Sequence, residues 1–378
     1  MSRPTFMTIN VSALQHNVER VRAFAPHSAM IAMVKANAYG HGIERVALAL
    51  QTVDALGVAS LEEGLKLREA GITKPIVLME GVFYPDELID AAHHHFTLVV
   101  HHLPHVEMLE QFPLESCFSV WLKIDTGMHR LGIAPNDVHD IYQRLLAVSS
   151  IKKPIGLMTH FAEADSLKRS TTKNQIQLFE KITRGLPGPR SLANSAGILA
   201  WSDAHKDWVR PGLILYGASP FADKTGLEYG LKPVMTLSSR LIAITKVPKG
   251  EKVGYGGTWT APEEMMVGVV GVGYGDGYPQ YAENGTAILV NNKRSQLVGR
   301  VSMDMLTVDL RNQPEAKIGD EVTLWGEGLP VEEVAKHNRT SAYEILTRMT
   351  PRPKMKTVTE EGTNDESTSK HNTYTRST

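Results

Sequence analysis

The chain has 378 residues, 42% hydrophobic and 21% charged, with Lys+Arg 40 against Asp+Glu 41 for a net charge of −1. That is ordinary soluble-globular composition, and its balance of charge excludes an electrostatic footprint for nucleic acid or an anionic membrane surface. Cys117 is the single cysteine, which excludes an internal disulfide framework and fits a reducing compartment. No apolar run reaches the roughly 18 residues a membrane span needs. Met1-Ser2-Arg3-Pro4 lacks the charged-then-apolar design of a signal peptide, so a cytosolic (cytoplasmic) protein is expected. A prior of about 150 residues per domain suggests two domains.

Strand-like apolar segments recur at 29–35, 55–60, 75–79, 97–100, 119–125, 155–160, 190–194 and 208–210. Helical patterns separate them, for example at 61–70 and 174–183. Eight strands alternating with helices over about 220 residues predict an α/β fold, a closed (β/α)8 barrel of TIM type, over 1–232. From Pro233 the pattern changes to strand-like runs with Gly, Asn and Pro turns, and helices return only at 331–337 and 342–348. A mainly antiparallel β-domain is expected over 233–356. Residues 357–378 are rich in Thr, Ser, Glu and Asn, and are read as a disordered polar tail.

Polar residues stand at the ends of the expected barrel strands, where strand carboxyl ends converge on one mouth. Lys35 closes the first, followed by a break at Gly40 and Gly42 and a helical pattern from Ile43. A lysine buried there would lose solvation, lowering its ammonium pKa and freeing an amine for Schiff-base chemistry; an ordinary surface lysine fits the same local pattern. Lys123 and Asp125 end the fifth strand, ahead of Arg130. His160 ends the sixth, Asn194 and Ser195 the seventh, and Arg210 the eighth. Gly212 and Leu213 can present backbone N–H groups to a phosphate, with the Ser195 hydroxyl beside them. Tyr255, between Gly254 and Gly256, either presses a ring against a ligand or is a turn aromatic.

Two features are set aside. His93, His94, His95, His101, His102 and His105 invite a metal, but no cysteine lies nearby and no His-Glu-x-x-His occurs. A solvated barrel face is expected, with no metal. The glycine-rich 271–278 segment lacks dinucleotide spacing, and reads as a tight turn whose value lies mainly in its tyrosines.

Seven motifs then occur in order. They are Val34-Lys35-Ala36-Asn37-Ala38-Tyr39-Gly40-His41-Gly42, Lys123-Ile124-Asp125-Thr126-Gly127-Met128-His129-Arg130-Leu131-Gly132, Thr159-His160-Phe161-Ala162, Ala193-Asn194-Ser195-Ala196-Gly197, Arg210-Pro211-Gly212, Gly254-Tyr255-Gly256 and Met303-Asp304-Met305. This set resembles the alanine racemase family, nearly to the end of the chain. The resemblance implies a pyridoxal 5′-phosphate enzyme, a homodimer with shared active sites, acting on alanine, with no nucleic-acid or membrane partner. Lys35 would carry the cofactor as an imine and serve as one proton-transfer base. Tyr255 of the neighbouring subunit would be the other, on the opposite face of Cα, as inversion requires.

A tyrosine of ordinary pKa, about 10, is a poor base, and the family supplies His160 backed by Arg210. Arg210 would face the pyridine nitrogen without surrendering its proton. Arg130 and the Met303 backbone would contact the substrate carboxylate, with Asp304 in support. Lys123 matches a lysine that some members carbamylate, which would position Arg130; whether it is modified here stays open. Tyr39, Asn194, Ser195, Gly212, Leu213 and Tyr343 complete the cofactor site. A broad-specificity or serine racemase, or a non-catalytic cofactor carrier, remains as an alternative. So do biosynthetic and catabolic roles.

Overall fold

A computed structural model describes residues 3–112, 117–359 and 362–365. The chain forms two compact units, Gln15–Lys224 and a second made of Met1–Leu14 with Thr225–Thr378.

In the first unit, Ala29–Met33, Ala55–Val58, Ile76–Leu78, Thr97–Val100, Val120–Lys123, Gly156–Met158, Arg190–Ser191 and Trp208–Val209 close into a barrel in that order. Each neighbouring pair is parallel, including the last with the first. The expected (β/α)8 barrel is the fold, with the strands trimmed at their ends. These strands are short apolar runs because both faces are covered, one by barrel filling and one by helices. Ile31, Leu56, Ile76, Val99, Leu122 and Leu157 are all fully buried. The helix Thr171–Ile182 shows the matching stripe, burying Thr172, Gln175, Ile176, Phe179 and Ile182, the three- and four-residue spacing of one helical face.

The second unit is built on Met235–Val247, a long strand bulged between Leu241 and Ala243. It pairs antiparallel with Glu321–Trp325, with Met265–Val270 and with Phe6–Asn10. The Tyr278 and Trp325 rings stack at 5.9 Å in its core. Phe6–Asn10 alternates, with Met7 and Ile9 buried between half-exposed neighbours.

Two boundaries differ from the sequence reading. Residues 3–14 and 225–232, expected in the barrel, group with the β unit. Lys354–Thr359 is a strand, parallel to Phe6–Asn10 over five positions, and Gly362–Asp365 pairs with it in turn. Residues 357–359 and 362–365 are thus sheet rather than disordered tail. A half-buried strand in which Lys354, Lys356, Thr357 and Thr359 outnumber Met355 and Val358 looks, in sequence, like a solvated segment. The remainder of the expected tail, residues 360, 361 and 366–378, lies outside the described residues.

Ending the chain at Pro353 removes this parallel ladder. At a few tenths of a kcal/mol per cross-strand pair, the loss should reach about 2 kcal/mol. It should appear as a lower urea midpoint, and an unchanged midpoint would return the segment to the status of a tail.

Candidate active site

Val34 ends the first barrel strand, and Lys35 opens a short turn, Lys35–Tyr39, unlike an ordinary helix. Ala36, Asn37, Ala38 and Tyr39 all have φ between 52° and 54°, the left-handed region that costs an L-residue roughly 1–2 kcal/mol each. Polar contacts offset that cost. Glu63 accepts from Ala36 N at 2.7 Å and from Ala59 N at 2.8 Å. Asn37 Oδ1 accepts from Ile43 N at 2.9 Å, starting the next helix. Buried His41 bonds the Ala38 and Tyr39 carbonyls through Nδ1, at 3.0 and 2.9 Å. Its burial lowers its pKa to about 4, so the ring stays neutral. Tyr216 stacks on Tyr39 at 4.8 Å and donates to Met33 O at 2.8 Å. Lys35 itself is half-buried, less enclosed than the sequence reading required.

Arg210 is 3% exposed and fully engaged. It donates to Ser191 O and Ser191 Oγ at 2.8 Å, Thr159 O at 2.5 Å, Leu192 O at 3.2 Å and His160 Nδ1 at 3.3 Å. Burial pulls the guanidinium to about 10, so it stays charged at neutral pH. Because a guanidinium only donates, His160 Nδ1 accepts, which assigns the proton of the neutral ring to Nε2. Burial first, then the charges of Arg210, Lys123, Arg130 and Lys35, hold His160 well below its ordinary range.

Those cations share one field, and Lys123 feels it most plainly. It is 7% exposed; burial first, then Arg210, Arg130 and Lys35, lower its ammonium to about 8, with Glu80 opposing. Lys123 is therefore a desolvated amine at the end of the fifth barrel strand. The loop carrying Arg130 is braced by Asp125, whose Oδ1 accepts from the backbone N–H of Gly127, Met128 and His129 at 2.9–3.1 Å. Burial raises its pKa, but these donors and the His129 ring outweigh it, and the carboxylate sits below its ordinary range.

The residues expected to receive a phosphate lie close to one another. Asn194 caps the helix Ser195–Ala200 by accepting from Gly197 N at 3.0 Å. Ser195 Oγ accepts from Gly212 N at 3.0 Å. A Cβ on Gly212 would lie 2.4 Å from Tyr39 Oη, so only glycine lets that phenol approach the Gly212–Leu213 backbone. The structure thus brings Tyr39, Ser195 and Gly212 together, with Leu213 next in the chain, polar groups of the kind that can receive a phosphate.

Tyr255, Met303, Asp304 and Tyr343 lie in the second unit. Tyr255 sits in the turn of the hairpin Lys252–Val253 and Trp259–Thr260, flanked by Gly254 and Gly256 at φ 73° and 71°, and is 70% exposed. Met303 is 53% exposed, and its carbonyl accepts from Gly275 N at 2.9 Å. The 271–278 segment therefore serves by bracing Met303 with its backbone. Asp304 Oδ1 binds Arg352 at 2.6 Å and Arg3 at 3.2 Å. Tyr343 opens onto solvent from the helix Ala342–Thr347.

Sequence reasoning missed the polar groups that hold these side chains. Gln175 donates to Thr126 Oγ1 and His160 O and accepts from Ala162 N. Thr159 donates to Ile124 O at 2.9 Å. Ser191, Glu63 and Tyr216 act likewise. Each occupies a position that periodicity reads only as helix or strand, so nothing in the pattern marked them. A correction also applies to the histidines: His101 and His105 are 8% and 5% exposed, buried rather than on a solvated face, whereas His93 and His95 are exposed.

Gly212→Ala should displace the Tyr39 phenol and weaken inorganic-phosphate binding at least tenfold, measured by calorimetry. Adding Tyr39→Phe, which removes the clashing oxygen, should restore thermal stability without restoring phosphate affinity.

Comparison with known proteins agrees with this geometry. Residues 9–220 match the model of the alanine racemase N-terminal domain, and residues 234–357 that of the C-terminal domain. An alanine racemase of Vibrio parahaemolyticus is 52% identical over 347 residues, covering 92% of this chain and 97% of that protein. The biosynthetic alanine racemase of Escherichia coli is 49% identical over 353 residues, covering 93% and 98%. The crystal structure of the biosynthetic alanine racemase from Pseudomonas aeruginosa superposes with a TM-score of 0.92 at 42% identity, covering 94% of this chain and 99% of that one. With both family domains matched in order and relatives about 50% identical over most of its length, the chain belongs to the alanine racemase family.

Proposed function

We propose that this chain interconverts L-alanine and D-alanine, working as a homodimer in the cytoplasm and supplying D-alanine for peptidoglycan precursors. Among the described residues no helix is long and apolar enough to cross a membrane. The observation that carries the chemistry is the pairing of Arg210 with His160 at 3.3 Å, beside a half-buried lysine at a barrel strand end. The cradle of Ser195, Gly212, Leu213 and Tyr39 would hold the phosphate of pyridoxal 5′-phosphate, with Asn194 fixing the helix start and Tyr343 adding a phenol. Bound there, the cofactor supplies an electron sink that acidifies the substrate Cα–H.

The side chains do the rest. Lys35 would hold the cofactor and then, as a free amine, take or return the Cα proton on one face. Tyr255 of the partner subunit would do so on the other. Its 70% exposure within one chain is what a residue destined for a neighbour's site needs. Neutral His160, with its proton assigned to Nε2, would stabilise a phenolate by donating to it, and Arg210 keeps that imidazole from charging. Arg210 would meet the pyridine nitrogen as a donor that never gives up its proton, which restrains the sink and suits racemisation over transamination. Arg130 and the Met303 backbone would take the substrate carboxylate, with Asp304 holding the Met303 segment between Arg3 and Arg352.

Purified protein with the cofactor should racemise L-alanine, followed by circular dichroism; absence of turnover would end the reading. Tyr255→Phe should lower kcat by at least 100-fold while leaving cofactor absorbance intact. Mixed dimers of Lys35→Ala and Tyr255→Phe chains should recover activity, because one of their two sites keeps both groups. No recovery despite proven mixing would place the tyrosine in its own subunit's site.

Lys123 is the proposed carbamylation point. A pKa near 8 leaves about a quarter of the amine unprotonated at pH 7.5, against roughly a thousandth for an ordinary lysine. The free amine adds to carbon dioxide and loses a proton, giving an anion among Arg130, Arg210 and Lys35. Labelled bicarbonate should give a carbamate 13C resonance that Lys123→Met abolishes. Failure to detect it in the unmodified protein would leave Lys123 an amine.

A further inference from the structure

The histidine cluster borders that site, since Lys123 is among the charges that act on His101 after burial, but no role there uses its rings. His101 follows the barrel strand Thr97–Val100, His102 is the N-cap of the helix Leu103–Gln111, and His105 lies in its first turn. One ring nitrogen from each lies within 4.8 Å of the other two. The rings pack with centroids 4.7, 4.6 and 3.8 Å apart.

Two hydrogen-bonding facts make this more than a cluster. His101 Nε2 meets the Glu80 carbonyl at 3.0 Å. A carbonyl only accepts, so Nε2 carries the hydrogen and Nδ1 keeps its lone pair. This second-shell bond is the one that fixes the tautomer and aim of a metal-ligating histidine. His105 Nδ1, in a residue 5% exposed, is buried with no partner in full hydrogen-bond geometry, and the ring's backbone contact is with Val82. A buried imidazole nitrogen so weakly engaged is one that a bound cation would satisfy. Burial keeps both rings uncharged: His105 is lowered to about 3, and His101 also lies below its ordinary range.

We propose that His101, His102 and His105 form a three-imidazole site for a divalent transition metal of the zinc class, with the exposed side of His102 leaving a fourth position to water. An all-nitrogen set disfavours magnesium and calcium, which take oxygen ligands, and suits zinc, cobalt, nickel or copper. Metal–nitrogen bonds of about 2.1 Å require nitrogens about 3.4 Å apart in a tetrahedron. The exposed His102 side chain can swing to close its share of that gap, and the His101 and His105 rings close theirs by small shifts as the metal binds.

The test uses the full-length, cofactor-loaded protein after dialysis against chelator. Cobalt(II) should give visible d–d bands of a tetrahedral site, saturating at one equivalent per chain, and zinc should displace it. His102→Ala, a surface change, should weaken zinc binding by roughly 100-fold or more with an unchanged far-ultraviolet spectrum. His105→Gln should do the same. His93→Ala/His94→Ala/His95→Ala should bind zinc as the unmodified chain does. The proposal is overturned if no stoichiometric cobalt spectrum appears. It is equally overturned if His102→Ala retains full zinc affinity, or if the 93–95 variant is the one that loses it.

Discussion

A charged guanidinium sealed inside the mouth of the barrel governs the site around it. Moving a cation out of water is costly unless every donor finds an acceptor, and Arg210 finds its acceptors on the ends of neighbouring strands. Ser191 and Leu192 end the seventh strand, Thr159 and His160 follow the sixth, and the Arg210 backbone N–H bonds Ala193 O at 2.9 Å. Any shift of one strand end would strand a donor. The same contacts leave the charge un-neutralised, because the acceptors are carbonyls, a hydroxyl and an imidazole. Arg210 therefore acts twice, as a brace for the mouth and as the source of a field.

That field explains why neighbouring groups behave as they do. His160 stays neutral and Lys123 gives up its proton readily because each faces Arg210, Arg130 and Lys35 in a partly dehydrated space. A surplus of positive charge is unfavourable for folding, and it is what a ligand with a phosphate and a carboxylate would relieve. Cofactor and substrate binding are thus expected to stabilise the barrel as well as to fill it. The left-handed turn after Lys35 adds a second tension. Four consecutive non-glycine residues are kept there by Glu63, Asn37, His41 and the Tyr39–Tyr216 stack.

The barrel was legible in the sequence because its strands are buried on both faces and read as plain apolar runs. Lys35, Lys123, His160, Ser195 and Arg210 were legible because each follows such a run. The β unit was readable only in its interior. Met235–Val247 and Met265–Val270 have enough apolar residues to declare themselves, whereas Phe6–Asn10 and Lys354–Thr359 alternate and depend on each other across the whole chain. No local signal carries such a pairing. Gln175, Glu63 and Thr159 escaped for another reason: a side chain that binds backbone groups in three dimensions looks, along the sequence, like any polar residue on a helix or strand. The histidines were misread because exposure was inferred from polarity, while His101 and His105 are enclosed by the strand end and helix start that carry them.

Phe6–Asn10 is synthesised before nearly everything else, yet its two sheet neighbours are Met235–Val247 and Lys354–Thr359. While the ribosome is still building the chain, that strand has an apolar edge with Met7 and Ile9 and nothing to cover it. The barrel residues can close as they emerge, since their partners are successive. The pairings of Phe6–Asn10 cannot, since Met235–Val247 follows the whole barrel in the chain and Lys354–Thr359 comes later still.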